Sequence, residues 1–303
     1  MGFYAKKIVR VGSRLLRNIK FILQHDLNDE FFKTKDDAVE QAIVEFDETR
    51  SEIDALRPSV LGKIETLNLL AAQPKSFSRI GDGEIGIMIG GSIGFQEYDP
   101  VLCEKMLSVL KTKRDDLYVG IADYFHAISM DTIPSSRRFF RNYGTILRRF
   151  LLKEANPEIQ YLHAHCFVPY VGRSYDPETC DKIILQEKQL FAGKKIALVT
   201  SKNVLAKLNY DVFELASEKI IVYGPARHAF QEYASILDRI TTTVSKDYLV
   251  CIILGPTATV MASDLTDMGY MAWDVGHIAK DYDAYMKRHE LGEKALIGFW
   301  GAD

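Results

Sequence analysis

Short apolar runs alternate along the chain with longer stretches of helical periodicity. Two of these runs, KIALVT at 195–200 and LVCIIL at 249–254, are almost entirely apolar. A strand without polar alternation is typical of a parallel sheet that is covered on both faces. Further short runs rich in β-branched residues predict strands at 76–80, 117–121, 159–163, 219–223 and 271–275.

Helical periodicity fills the intervals between these runs. The predicted helices cover 59–72, 101–112, 134–153, 181–191, 203–216, 228–239 and 257–268. Strands that alternate with helices predict an α/β fold with a doubly wound, mostly parallel sheet. Such sheets bind ligands beyond the carboxyl ends of their strands, so the segments that follow each predicted strand are the candidates for function.

The N-terminal part of the chain differs from the rest in charge. Residues 1–25 carry six basic side chains and no acidic one, whereas residues 26–54 carry eleven acidic and three basic side chains. On a helical wheel the apolar and basic residues of 1–25 fall on opposite faces, which predicts a basic amphipathic helix. It docks either on an anionic membrane or on protein. We predict a helical extension over 1–55, acidic from 26, and one domain over 56–303.

Composition excludes several classes of protein. The 303 residues are 47% apolar and 26% charged, and the net charge of −3 argues against a nucleic-acid partner. The four cysteines lack zinc spacing and are expected to be reduced thiols. No apolar run reaches the roughly 20 residues of a membrane span, and no signal peptide is evident. We therefore expect a cytoplasmic protein, or a peripheral one on the cytosolic face of a membrane, whose oligomeric state is left open.

Two carboxylates, Asp82 and Glu84, alternate with glycines after the predicted strand 76–80. In extended backbone, side chains two residues apart point the same way, so the pair could share one hard cation such as Mg²⁺ or Mn²⁺. Gly81 and Gly83 would let a phosphate approach the backbone. The residues also fit a solvated glycine–aspartate turn, and the spacing by itself leaves both interpretations open.

A second candidate segment follows the strand at 249–254. It reads LGPTAT and leads into the predicted helix 257–268, so that Thr257 is the expected N-cap. The N-terminus of a helix suits a diphosphate because its N–H groups are free and its dipole is positive there. The candidate phosphate-binding residues are Gly255, Pro256, Thr257 and Thr259. An ordinary joint between a strand and a helix explains the segment equally well.

Other polar residues lie past predicted strands. Asp274 and His277 follow the last one, and a histidine beside a carboxylate can be a general base, a metal ligand or a packing residue. Arg173 and Arg227 lie in glycine-containing loops. Each arginine either contacts phosphate or is a surface charge.

Three segments resemble the GT-D-fold glycosyltransferases, bacterial enzymes that use nucleotide sugars. They are SFSRIGDGEIG at 76–86, YGPARHAFQEYASIL at 223–237 and LGPTATVMASDLTDMGYMAWDVGHI at 254–278, and they follow one another in the family's order. The resemblance implies a Rossmann-like domain. It also implies that Asp82 and Glu84 bind Mn²⁺ or Mg²⁺ and, through it, the diphosphate of a UDP-sugar, with Arg79 and Gly81 beside them.

The chain also departs from the family pattern. The family has a glycine-rich loop where this chain reads VTSKNVLAKLNYDVF at 199–213, without glycine. After His277 the acids persist as Asp281 and Asp283, but the family's tryptophan is replaced by Ala284. These departures imply that the donor pocket and the acceptor specificity differ from those of the family.

The expected function is that of a metal-dependent glycosyltransferase, a hexosyltransferase by family. It would move a sugar from a UDP-sugar to a saccharide acceptor, either lipid-linked or protein-linked, in cell-surface polysaccharide or glycoprotein assembly. Asp274 or His277 would deprotonate the acceptor hydroxyl. Two alternatives are a metal-dependent phosphatase or phosphotransferase, and a non-catalytic scaffold that binds nucleotide sugars.

Overall fold

The computed structural model describes residue 46 and residues 49–126, 134–168 and 177–291. Its centre is an eight-stranded sheet, and every pairing between the strands is parallel. The strands are β1 (Ser59–Val60), β2 (Ser76–Ile80), β3 (Leu117–Ile121), β4 (Gln160–His163), β5 (Lys195–Thr200), β6 (Glu218–Tyr223), β7 (Leu249–Ile252) and β8 (Met271–Asp274).

Helices connect the strands. They are α1 (Lys63–Ala72), α2 (Asp82–Met88), α3 (Pro100–Lys111), α4 (Pro134–Glu154), α5 (Pro177–Phe191), α6 (Lys202–Leu205), α7 (Tyr233–Thr243), α8 (Pro256–Asp267) and α9 (Ile278–Leu291), with a 3₁₀ turn at Ala229–Glu232. Residues 49–56 are helical as well. Within the described ranges, no helix combines the length and the apolar character that crossing a membrane requires.

Both faces of the sheet are buried, as the apolar strands predict. In β5, Ile196 and Leu198 pack into the core on one face, and Ala197 and Val199 pack into the core on the other. Continuous apolar strands therefore reflect helical layers on two sides.

The strand order is β1-β4-β3-β2-β8-β7-β5-β6. From β2 the chain builds outward through β3 and β4, crosses to the other half of the sheet for β5, β6 and β7, and returns to the centre with β8. The predicted doubly wound α/β fold is thus confirmed. The order reverses between β2 and β8, and the crevice beyond their carboxyl ends is where such a fold binds ligands.

Two predicted helices differ from the structure. The helix expected from residue 59 begins at Lys63, because Ser59 and Val60 pair with β4 at the edge of the sheet. The helix expected over 203–216 is reduced to the single turn of α6. The Asp283 carboxylate accepts the N–H groups of Asn209 and Tyr210 at 2.7 and 3.1 Å, so these donors are not available to a helix.

The domain boundary at residue 56 stays a prediction, as does the basic helix over 1–25, which lies outside the described residues. Phe46 and Ile53, from the end of the predicted extension, are buried in the core that covers β3. The last turns of the extension therefore pack on the same body as the sheet.

Candidate functional site

A buried ion pair joins the two central strands at the crevice. Arg79, near the end of β2, donates from Nε and Nη2 to Asp274 Oδ1 at 3.2 and 3.0 Å. Its Nη1 donates to the Ala164 carbonyl at 2.6 Å. Asp274 also accepts hydrogen bonds from the Gly276 N–H at 3.0 Å and the Thr259 hydroxyl at 3.3 Å. Both side chains are therefore held in one orientation.

Asp274 holds Arg79 in place. Its side chain is 3% exposed and both of its oxygens accept hydrogen bonds. Burial raises the pKa of the Asp274 carboxyl, and the ion pair with Arg79 opposes that rise. Deprotonation of an acceptor hydroxyl, which the sequence allowed for Asp274, does not fit a carboxylate so enclosed.

Asp82 and Glu84 lie in the first turn of α2, whose N-cap is Gly81. The extended backbone expected from the sequence is therefore wrong, and the two side chains leave the helix about 200° apart. The Gly81 N–H donates to Glu84 Oε2 at 2.8 Å, so Glu84 caps its own helix. Burial raises the pKa of Glu84 to about 7, and the Asp274 carboxylate adds to this rise.

The pair nevertheless fits a divalent cation. Asp82 is exposed, and Glu84 Oε1 makes no hydrogen bond within the described part of the chain. Carboxylate oxygens suit Mg²⁺ or Mn²⁺, which are often held by one or two carboxylates together with substrate phosphates. No group of three or more His, Cys, Asp or Glu side chains could hold a metal ion among the described residues. In the metal prediction, the protein would supply two carboxylates, and phosphate and water would fill the further positions.

The start of α8 is covered in this structure. Its N-cap is Gly255 at φ +57°, so the prediction that Thr257 caps the helix is wrong. A Cβ on Gly255 would lie 2.7 Å from the Phe95 ring, and Pro256 and Thr257 are buried. Thr259 donates its hydroxyl to the Arg79 carbonyl at 2.9 Å. Thr259 therefore supports the central ion pair, whereas the Phe95 ring lies against Gly255, where the sequence predicted a diphosphate contact.

The loop over residues 89–99 runs beside the crevice. Arg227 donates to the Gly94 carbonyl of this loop at 3.2 Å. At the neighbouring residue of the loop, a Cβ on Gly83 would lie 3.3 Å from Ile93. Arg227 and Gly83 are thus tied to the loop, and the loop spans from α2 to the segment after β6.

His277 is exposed in the turn between β8 and α9, beside the buried Asp274. It is open to a ligand, as a general base must be. Arg173 lies outside the described residues.

One residue of the site was missed by the sequence interpretation. A Cβ on Gly81 would lie 3.6 Å from His165 Nε2, so this histidine faces the start of α2. Burial and the positive charge of neighbouring groups hold the pKa of His165 well below its usual range, and the imidazole is therefore neutral. Its position just past the predicted strand 159–163 was the signal that could have identified it.

The chain is similar to known glycosyltransferases in sequence and in fold. A family model described as glycosyltransferase GT-D fold matches residues 77–295. Glycosyltransferase GlyD of Streptococcus pneumoniae serotype 4 is 26% identical over 264 residues, which cover 86% of this chain and 31% of that protein. The probable glycosyl transferase Gly of Streptococcus gordonii is 26% identical over 235 residues, which cover 74% of this chain and 33% of that protein. The chain spans about a third of the length of these curated relatives.

A solved structure described as "the highly conserved domain of unknown function 1792 has a distinct glycosyltransferase fold" superposes with a TM-score of 0.72. The two sequences are 30% identical, and the alignment covers 80% of this chain and 86% of that one. The similarity extends over most of the described sheet and its helices.

Gly276 tests the importance of the ion pair. It has φ +55°, and a Cβ there would lie 1.9 Å from Arg79 Nη2, so Gly276→Ala must displace the guanidinium. We expect a loss of about 3 kcal/mol or more in the free energy of unfolding, because a broken pair leaves a buried charge. Gly193→Ala is the matched control, since Gly193 has φ +70° and no atom within 4 Å of the added Cβ. It should lose only about 1–2 kcal/mol through backbone strain. Equal losses in denaturant unfolding would contradict the role of the pair.

Proposed function

The chain belongs to the GT-D glycosyltransferase family, and on that premise we propose that it is a metal-dependent glycosyltransferase using a UDP-linked sugar donor. The family model and the solved structure confirm the family that the three sequence segments predicted. The observation that carries the proposal is the joint position of Arg79, Asp82 and Glu84 at the crevice between β2 and β8. The fixed guanidinium of Arg79 and the two carboxylates suit a donor whose diphosphate binds together with a metal ion.

Asp82 and Glu84 are the residues that would hold Mn²⁺ or Mg²⁺. A divalent cation held there would supply positive charge to offset the negative charge that grows on the diphosphate leaving group. Arg79 adds a positive charge whose orientation is already fixed by Asp274 and Ala164. Such a group stabilises the leaving group without rearranging during the reaction.

His277 is the group that we assign to the acceptor. A neutral imidazole nitrogen can take the proton of the acceptor hydroxyl as the new glycosidic bond forms. His277 is exposed at the carboxyl end of β8, whereas the Asp274 carboxylate beside it is enclosed. The exposure of His277 thus supports its assignment as the residue that contacts the acceptor.

We assign the acceptor to the saccharides of cell-surface polysaccharide or glycoprotein assembly, lipid-linked or protein-linked. The family resemblance supports this assignment. The six basic side chains of residues 1–25 would hold the enzyme near lipid-linked acceptors on an anionic cytosolic surface. That contact is salt-dependent, because ions screen the attraction.

The direct test is release of UDP from a panel of UDP-sugars in the presence of Mn²⁺, with and without saccharide acceptors. A glycosyltransferase releases UDP faster when the right acceptor is present. Hydrolysis of simple phosphate esters without an acceptor would indicate a phosphatase. Binding of UDP-sugar without any turnover would indicate a scaffold, and either result would overturn the proposal.

Donor binding should depend on the metal through Asp82. Calorimetric titration of UDP with Mn²⁺ should show an affinity at least about 10-fold higher than with EDTA or in Asp82→Ala, since contacts to charged groups contribute about 1.5–3 kcal/mol. Asp115→Ala is the control, because this exposed carboxylate lies before the amino end of β3, whereas the proposed site lies beyond the carboxyl ends of the strands. It should bind UDP like the wild type. Equal UDP affinity in all samples would contradict the proposal that donor binding depends on a metal ion.

His277→Ala should lower turnover about 10²- to 10⁴-fold while changing UDP affinity little, because a general base acts on the transition state. Lys280→Ala, an exposed neighbour on α9, serves as the control and should keep the wild-type rate. Initial rates and UDP titrations on the two variants separate catalysis from binding. A wild-type rate in His277→Ala would show that His277 is not the general base.

A further inference from the structure

Tyr124 lies beside the proposed donor site, in the loop that follows β3. The Ala122 N–H donates to the Ile80 carbonyl at 3.2 Å, and the Tyr124 N–H donates to the Ala122 carbonyl at 3.1 Å. The loop is thereby folded against the carboxyl end of β2. Asp82 begins α2 only two residues past that end, so Tyr124 and the carboxylate pair follow neighbouring strands at the same edge of the sheet.

The Tyr124 hydroxyl is buried, and no described residue satisfies it. The side chain is 4% exposed, and the ring packs edge-on against Phe140 of α4 with 5.9 Å between the ring centroids. Its hydroxyl oxygen makes no hydrogen bond within the described part of the chain. A buried hydroxyl without a partner is costly, so such groups in native proteins usually meet a protein group, water or a ligand.

Another buried tyrosine shows the usual arrangement. The Tyr161 hydroxyl donates to the Leu110 carbonyl at 2.7 Å and accepts the Asn156 N–H at 2.8 Å. Both hydroxyls are enclosed, but only that of Tyr161 is satisfied by the fold. Among the described residues, Tyr124 thus differs from Tyr161 in having a buried hydroxyl that the fold leaves unsatisfied.

The surroundings of Tyr124 identify the chemistry of that partner. Burial raises the pKa of Tyr124 well above its usual value, and the Asp82 and Glu84 carboxylates raise it further. The phenol therefore keeps its proton and acts as a donor within electrostatic reach of both acids. It bonds to neither acid, and an oxygen of a ligand held by those acids would suit it as an acceptor.

We propose that Tyr124 is a donor-binding residue whose hydroxyl donates a hydrogen bond to a phosphate oxygen of the nucleoside diphosphate. The inference rests on the proposed function and extends it, since it assigns to the diphosphate a neutral donor from the loop after β3 in addition to the fixed charge of Arg79 on β2. The hydrogen bond would position the diphosphate beyond the carboxyl ends of these strands.

Tyr124→Phe removes the hydroxyl and keeps the ring. We expect UDP affinity in Mn²⁺ to fall about 10-fold, because a hydrogen bond to a charged oxygen is lost. Unfolding of the free protein should shift little or towards higher stability, since the hydroxyl has no partner to lose. Tyr161→Phe is the matched control: it should keep UDP affinity and unfold at lower denaturant, because two backbone groups lose their partner.

The outcomes separate this inference from the proposed function. Unchanged UDP affinity in Tyr124→Phe would overturn the inference alone. An equal loss in binding of Mn²⁺ without nucleotide would also overturn it, because the hydroxyl would then serve the cation. Clear destabilisation of free Tyr124→Phe would reveal a partner within the fold and contradict the premise. No UDP binding by the wild type, with or without Mn²⁺, would overturn both.

Discussion

The ion pair between Arg79 and Asp274 joins strands that are 195 residues apart in the chain. Backbone pairing between β2 and β8 is limited to the register of Phe77 with Trp273, whereas β2 pairs with β3 along its whole length. A buried ion pair adds little net stability over apolar residues, but it is costly to break. Here the pair fixes the orientation of the Arg79 guanidinium at the point where the two halves of the sheet meet.

This constraint reaches well beyond the two side chains. Thr259 of α8 bonds the Arg79 carbonyl, and Ser78 donates to the Thr259 carbonyl at 2.8 Å, which holds α8 against β2. Gly276 must lack a side chain because the guanidinium occupies the space of a Cβ. The stretch from 254 to 278 therefore acts as one unit around Arg79. Its helix, strand and turn each supply part of the same support.

The sequence predicts the sheet better than it predicts the local backbone of the site. Apolar strands and their order along the chain indicate a doubly wound fold, and the carboxyl ends of its strands indicate where to look. The sequence did not predict that Asp82 to Glu84 are helical, because Ile85 and Ile87 alternate with other residues as in a strand. The helix also depends on a cap in which the Glu84 carboxylate accepts the Gly81 N–H. The two-residue strand β1 carries too little pattern to be recognised, and its pairing with β4 is a tertiary effect.

The helical position of the carboxylate pair has a consequence for the proposed reaction. Two side chains on the first turn of α2 would supply at most a few of the six oxygens that Mg²⁺ takes, so phosphate oxygens and water would have to complete the shell. Under the proposed function, metal and donor then bind with positive coupling, and each raises the affinity of the other by the same factor. Glu84 is held ready by the Gly81 N–H, while Asp82 faces solvent. Under the proposed function, such a site would bind the cation weakly without nucleotide, and the metal would enter and leave together with the diphosphate.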